Sequence, residues 1–176
     1  MTAGVLDLGT IPKGASRTAI AVFRLSIALR MRLGRKLRDA GDLTIVEWRI
    51  LVGISTMAEA SQRDLVAFSK AEQAQVSRCL KDMEGKGLVL SRPNRDDRRA
   101  RLYEFTAEGK KLFDRLLPQV SDHNQVIDAA LNDEEISQFL DYCERLATAA
   151  LGATVNESEE ERPKWSGQPI KPNQST

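Results

Sequence analysis

The strongest structural signals in the chain lie in residues 71–106, AEQAQVSRCLKDMEGKGLVLSRPNRDDRRARLYEFT. Apolar residues recur at helical spacing over residues 71–84 and glycines follow, which predicts a helix and its end. Residues 88–92 and 101–106 have the composition and alternation of strands, and the polar, charged residues 94–99 lie between them. The stretch therefore predicts a helix followed by a two-stranded hairpin with a basic tip. The inward-facing residues of the helix are Val76, Leu80 and Met83.

Two helix starts precede this stretch. Thr44 and Glu47 have the spacing of a capping box, in which both side chains bond orphan amides of the first helical turn. Ser61 and Asp64 have the same spacing, with aspartate in place of glutamate. Two short helices followed by a hairpin make a winged helix-turn-helix, which we predict over residues 43–106.

Long helices are predicted on both sides of this lobe. Residues 16–38 carry apolar positions three or four apart that cover more than one helix face. A helix capped by Thr106 should kink or break at Pro118. A last helix begins with acidic residues after Asn132, and residues 136–150 follow the rhythm of a seam packed on other helices. The fold class is therefore mainly α, with a small β-hairpin.

Composition limits the possible locations of the protein. The 176 residues are 41% apolar and 29% charged, and their mean hydropathy of -0.36 is typical of a water-soluble globular protein. The longest apolar run, residues 19–23, is far shorter than the roughly 20 residues of a membrane-spanning helix. The N-terminus also lacks the basic and apolar segments of a secretory signal, so we expect a cytoplasmic protein without a membrane partner.

Few residues could support catalysis or bind a metal. The chain has two cysteines, Cys79 and Cys143, and one histidine, His123, so neither a disulfide framework nor a histidine-rich metal centre is expected. There is no phosphate-binding glycine-rich loop and no nucleophile motif. We therefore expect no enzyme activity, no catalytic residue, no metal and no cofactor.

The charge is distributed unevenly along the chain. The net charge is +1 overall, but it is +4 over residues 1–60, +4 over residues 61–111 and -7 over residues 112–176. A basic first part joined to an acidic last part is the asymmetry expected when one face of a protein meets a polyanion.

A set of residues between positions 43 and 109 stands in a characteristic order and spacing: Leu43, Thr44, Glu47, Trp48, Arg49, Ile50, Leu51, Asp64, Leu65, Val76, Ser77, Arg78, Leu80, Met83, Glu84, Lys86, Gly87, Leu88, Val89, Asp97, Arg98, Arg99, Phe105, Thr106 and Gly109. This order and spacing resemble the MarR family of bacterial transcription regulators, and the similarity in architecture extends over about residues 16–151. Phe105 departs from the family, which more often has leucine before the threonine.

The resemblance implies a homodimer on double-stranded DNA, in which two winged lobes reach adjacent major grooves of a near-palindromic operator. The broad apolar surfaces of the flanking helices agree, because they exceed what a monomer normally exposes. The expected organisation is an N-terminal arm (1–15), a helical dimerisation region (16–42 and 107–151), the DNA-binding lobe (43–106) and an acidic, proline-containing tail expected to be disordered (152–176).

The resemblance also assigns DNA-binding residues. The helix over 71–84 becomes the recognition helix, and Asp97 orients Arg99 toward a narrow minor groove at the wing. The other candidates on the recognition helix, at the wing and at the preceding helix start are Gln73, Gln75, Ser77, Arg78, Arg95, Arg98, Ser61, Gln62 and Arg63. The structural alternatives are an ordinary polar helix face, a solvated ion pair in the loop, and plain helix capping by Ser61.

The same resemblance implies a repressor whose DNA release is controlled by a small aromatic or phenolic ligand. Met31, Trp48 and Phe113 are candidates for such a pocket, or plain core residues. Cys79 is expected to be a buried thiol, with a redox switch as the alternative, and His123 is expected on the surface. A winged lobe that binds a partner protein instead of DNA is the rival function.

Overall fold

The computed structural model describes residues 4–57, 59–94 and 100–152. Its helices are a short 3-10 helix at Leu8–Thr10, α1 (Arg17–Gly41), α2 (Ile45–Thr56), α3 (Gln62–Ser69), α4 (Gln73–Gly85), α5 (Ala107–Asp128) and α6 (Asp133–Leu151). Its strands are β1 (Ala60–Ser61), β2 (Val89–Pro93) and β3 (Arg101–Phe105). Among the described helices, none combines the length and apolar content that a bilayer-spanning segment requires.

The predicted winged helix lobe is confirmed. Helices α2, α3 and α4 pack on one another, and α4 leads into the antiparallel β2–β3 hairpin, in which Val89 pairs with Phe105 and Pro93 with Arg101. The sheet has a third strand that the sequence did not predict: β1 pairs antiparallel with β3, which gives the order β1-β3-β2. A two-residue strand is too short for an alternation pattern, which explains the omission.

Capping residues set where the helices begin. The Thr44 N–H donates to Glu47 Oε2 at 2.7 Å and the Glu47 N–H donates to Thr44 Oγ1 at 3.2 Å, so the predicted capping box is present. Asn132 and Glu135 form an equivalent pair at the start of α6. The buried Glu47 also accepts from Lys86 Nζ at 3.3 Å, which ties the start of α2 to the end of α4.

The apolar core is built from residues of α1, α2, α3, α4 and α5 together with Ala60 and Val89 of the sheet, and half of the residues of α2 are buried. In the described part of the chain, the buried polar or charged residues are Glu47, Ser69 and His123. The largest fully buried side chains include Leu37, Leu43, Ile50, Leu51, Leu65, Leu80, Met83 and Leu116. These residues hold α4 and the hairpin in place.

The sequence predicted a kink or a break of α5 at Pro118, and the structure excludes the break. The helix continues from Ala107 to Asp128 and is not broken at the proline. Leu116 and Val120, on either side of Pro118, are both buried. Their packing offsets the single backbone hydrogen bond that a proline cannot donate.

The chain divides into two compact units, Met1–Ile127 and Asp128–Thr176. In the first unit, Arg24 donates to the carbonyl oxygens of Leu6 and Asp7, so the expected N-terminal arm is attached to α1. In the second unit, α6 is amphipathic but has no buried residue. The expected tail beyond Gly152 lies outside the described residues.

Candidate nucleic-acid interface

Helix α4 presents a polar surface on an apolar anchor. Val76, Leu80 and Met83 are buried against the lobe, where α4 contacts α2, α3 and β2. The predicted recognition residues Gln73, Gln75, Ser77 and Arg78 are all exposed, as their spacing relative to the apolar positions predicts. Amide, hydroxyl and guanidinium groups on an exposed helix can hydrogen-bond base edges and phosphates.

The start of α3 lies beside the start of α4. Gln62, Arg63 and Gln73 line the same hollow of about 520 Å³, so the fold brings together candidates that lie ten residues apart. Ser61 has a different environment. Its hydroxyl donates to Asp64 Oδ2 at 2.6 Å and accepts from the Asp64 N–H at 3.3 Å, which is the capping role that the sequence left as the alternative.

The wing is described at its base. The Asn94 N–H donates to the Ala100 carbonyl at 3.0 Å and closes the hairpin. Arg92 Nη2 lies 2.8 Å from Glu59 Oε1 and Arg92 Nε lies 3.8 Å from Glu104 Oε2. The predicted tip residues Arg95, Asp97, Arg98 and Arg99 lie outside the described residues.

Arg101 anchors the other side of the wing base. It donates from Nε and Nη2 to Ser91 Oγ at 2.9 and 2.6 Å, and the Ser91 hydroxyl donates to Glu84 at the end of α4. Neither Arg92 nor Arg101 is among the candidates predicted from the sequence. No local pattern indicates their roles, because their partners lie on other segments: Arg101 bonds Ser91 across the hairpin, and Arg92 pairs with Glu104 on β3 and with Glu59 before β1.

Two of the three candidate ligand-pocket residues lie in the core. Trp48 and Phe113 are buried and stack with ring centroids 5.3 Å apart, and Phe105 lies 5.4 Å from Phe113. Met31, on α1, is 61% exposed. Trp48 and Phe113 therefore lie together in the core, as the alternative prediction of plain core residues expected. Met31 is exposed on α1.

The thiols are partly buried. Burial raises the pKa of Cys79, and the carboxylates of Glu47 and Asp82 raise it further, against a smaller lowering by Arg78. The protonated thiol is the less reactive form, so this environment argues against a redox switch at Cys79. Cys143 is also partly buried, on α6.

The prediction that His123 lies on the surface was wrong. His123 is 6% exposed, because α5 continues through Pro118 and keeps its buried face in register with Leu116 and Val120. Burial lowers the pKa of His123, and the positive charges of Arg32 and Lys36 on α1 lower it further. The sequence signal for its burial is its helical spacing from buried α5 positions, three residues after Val120 and seven after Leu116.

Comparisons with known proteins agree with this geometry. Residues 43–100 match the model of the MarR family. A comparison with curated proteins finds no match. Among solved structures, the chain is similar to Sco3205, a MarR family transcriptional regulator from Streptomyces coelicolor solved in complex with DNA, at 19% identity, 80% coverage of this chain, 92% of that chain and a TM-score of 0.67.

Two further structures have the same fold. MepR from S. aureus, solved as a DNA complex, has 21% identity and a TM-score of 0.66, over 73% of this chain and 95% of that chain. BpsR from Bordetella bronchiseptica, whose DNA binding is regulated by 6-hydroxynicotinic acid, has 19% identity and a TM-score of 0.58, over 72% and 98%. Residues 43–100 therefore match the MarR family model, and the chain has the winged helix fold seen in the MarR-family transcriptional regulators that it resembles.

Proposed function

We propose that the protein is a sequence-specific, DNA-binding transcriptional repressor that acts as a homodimer on a near-palindromic operator. The observation that carries this proposal is the exposed polar surface of α4, held on the lobe by the buried residues Val76, Leu80 and Met83. A rigid helix with an exposed polar end is what the major groove of DNA accepts.

Each candidate residue has a role in this proposal. Arg78 suits bidentate contact with guanine, and Gln73 and Gln75 suit adenine, whereas Ser77 suits a phosphate. Gln62 and Arg63 adjoin Gln73 and extend the surface toward the DNA backbone. At the wing, Arg99 oriented by Asp97 enters the minor groove, and Arg95 and Arg98 contact phosphates.

The apolar surface of α1 supports the homodimer. Phe23 is 64% exposed, and Val22, Ile27, Leu29 and Met31 are exposed as well. A contiguous apolar surface on a helix is unfavourable in water and favours association with a matching surface. Helix α6, taken by itself, has the same property, with Phe139, Leu140, Tyr142 and Leu146 exposed. Two-fold symmetry of the protein would match a near-palindromic site.

A small aromatic ligand fits the proposed repressor role. The regulation of BpsR by 6-hydroxynicotinic acid supports a ligand of this class. Such a ligand releases DNA only if it binds the DNA-free arrangement of the two lobes more tightly than the DNA-bound one. Trp48 and Phe113, with Met31, remain the proposed contacts, and binding at the first two requires the core to open between their rings.

The test is enrichment from a random pool of duplex DNA, followed by fluorescence anisotropy titrations of the enriched site at several salt concentrations. We expect one near-palindromic sequence and an affinity that falls steeply with salt, by about 1000-fold between 50 and 200 mM if six or more phosphates are contacted. Failure to enrich any sequence would contradict the proposal and favour a protein-binding role for the winged lobe.

A further inference from the structure

An open groove lies between the second half of α1 and the middle of α5, within the first compact unit. Its volume is about 660 Å³, which is in the range of small-molecule sites. All of its lining residues belong to α1 and α5, so it is separate from the candidate DNA-binding surface of α3 and α4. The residues that matter here are Arg32, Arg35 and Lys36 from α1 and Arg115, Gln119 and His123 from α5.

The groove has a strong excess of positive charge. Four basic side chains line it against one acidic side chain, Asp39. Within the part of the chain that the structure describes, Arg32, Arg35 and Lys36 form no ion pair. Four cations around one groove are only partly balanced by one carboxylate and repel one another, so an anion that entered the groove would relieve this repulsion.

Two side chains are arranged to receive an anion. Arg115 donates from Nη2 to the Ala40 carbonyl at 3.3 Å, which fixes its guanidinium across the groove between the two helices. His123 is 6% exposed, lines the groove, and has no hydrogen-bond partner among the described residues. A neutral imidazole has one N–H group, which can donate a hydrogen bond to an oxyanion.

We propose that this groove binds a small anion with at least two oxyanion groups, such as a polycarboxylate or a phosphate ester. A single carboxylate would leave most of the positive charge unbalanced, whereas two or three oxyanions can pair with Arg32, Lys36 and Arg115 together. The DNA backbone is a poor occupant, because the groove is lined only by α1 and α5 and is separate from the candidate DNA-binding surface of α3 and α4.

The test uses the only histidine of the chain as a reporter. The full-length protein is titrated with citrate and, separately, with inorganic pyrophosphate, and the imidazole signals of His123 are followed by NMR. Acetate and sodium chloride at matched ionic strength are the controls. We expect a saturable change with citrate, pyrophosphate or both, at least about 10-fold weaker binding of acetate, and a rise in the pKa of His123 in the complex. Saturation with citrate would identify carboxylates as the preferred ligand groups, and saturation with pyrophosphate would identify phosphates.

Matched variants distinguish a site from general charge attraction. Arg32→Ala and Lys36→Gln should each weaken binding by about 10-fold, since each removes one charge-assisted contact. Arg30→Ala removes the same charge from α1 at an exposed position that does not line the groove, and should leave the affinity unchanged. Two groove variants are used so that a folding defect in one does not prevent the test.

Three outcomes would overturn the proposal. Sodium chloride could move the His123 signals as much as the polyanions do, or Arg30→Ala could weaken binding as much as Arg32→Ala. A short duplex DNA could shift the signals while neither small anion does, which would make the groove a DNA contact. No operator is needed for these measurements, so their result is independent of the proposed DNA-binding function.

Discussion

Gly109 lies where the first turn of α5 meets the residue before β2. A Cβ at this position would lie 1.8 Å from the carbonyl oxygen of Leu88. Thr106 brings the two segments together, because its hydroxyl donates to the Gly87 carbonyl at 2.6 Å and accepts from the Gly109 N–H at 3.0 Å. Only glycine allows this approach, so a single absent methyl group sets the position of the hairpin relative to α5.

Replacing Gly109 tests this contact. Gly109→Ala should lower the free energy of unfolding by about 2 kcal/mol or more, because the new methyl group meets backbone atoms that cannot rotate away. Gly85→Ala is the control, since a Cβ at the end of α4 meets nothing within 4 Å and should be neutral or stabilising. Urea unfolding measures both. Equal stabilities of the two variants would contradict the close approach.

His123 makes stability depend on pH. Its pKa in the folded protein lies below the ordinary value of 6.5, first because it is buried and then because Arg32 and Lys36 lie near. The unfolded chain therefore binds the proton more readily than the folded one, and stability falls as the pH decreases through about 6.5 toward the folded pKa. Above about pH 7.5 the histidine is neutral in both states and has no effect.

The measurement is urea unfolding between pH 5.5 and 8. Stability of the unmodified protein should be constant at the upper end of this range and decline at the lower end. His123→Gln should have a flatter profile, since it removes the group that takes up the proton on unfolding. A variant whose profile has the same slope as the unmodified protein would assign the dependence to other groups.

At the scale of elements, α4 and the wing base form one connected surface. Helix α4 contacts α2, α3 and β2, and the Glu84–Ser91–Arg101 hydrogen bonds join its end to both strands of the hairpin. Arg92 adds a link from β2 to Glu59, which precedes β1. Side chains that are not themselves candidates for DNA contact therefore connect α4 to the base of the hairpin.

Arg78 and Arg99, which the sequence assigns to the recognition helix and the wing, have different predicted effects on DNA binding. Arg78→Ala should weaken operator binding by about 10- to 100-fold and relax the preference for one base pair. Arg99→Ala should weaken binding without changing the fold. Lys111→Ala is the control, because it removes one positive charge from an exposed position on α5. Anisotropy titrations against the enriched operator and a scrambled duplex measure these effects, and an unchanged dissociation constant for either arginine variant would contradict its assignment.

At the scale of the whole molecule, the described fold leaves two helices with exposed apolar faces. Phe23 and Met31 on α1 are mostly exposed, and α6 has no buried residue although its apolar residues recur regularly. Each of these exposed apolar faces, taken by itself, is unfavourable in water and favours association. The proposed dimer would therefore bury these apolar faces in its interface.

Phe23→Glu tests the dimer. A charge in an apolar interface should weaken association by about 100-fold, so the variant should sediment as a monomer at concentrations where the unmodified protein is a dimer. Ala67→Glu adds the same charge to an exposed position of α3, outside both apolar faces, and should remain dimeric. Sedimentation velocity measures the masses. A monomeric unmodified protein, or a dimeric Phe23→Glu variant, would refute the assignment of this face.

Local signals in the sequence determined the elements of this protein and the exposed polar face of α4. Capping boxes, apolar spacing and strand alternation depend on residues within about four positions of one another, so they can be read before the chain is folded. Only the tertiary structure decided the two-residue strand β1, the continuity of α5 through Pro118, the burial of His123 and the basic groove beside it. These features arise where segments far apart in the chain pack together, and Arg32 and His123 lie 91 positions apart in the sequence.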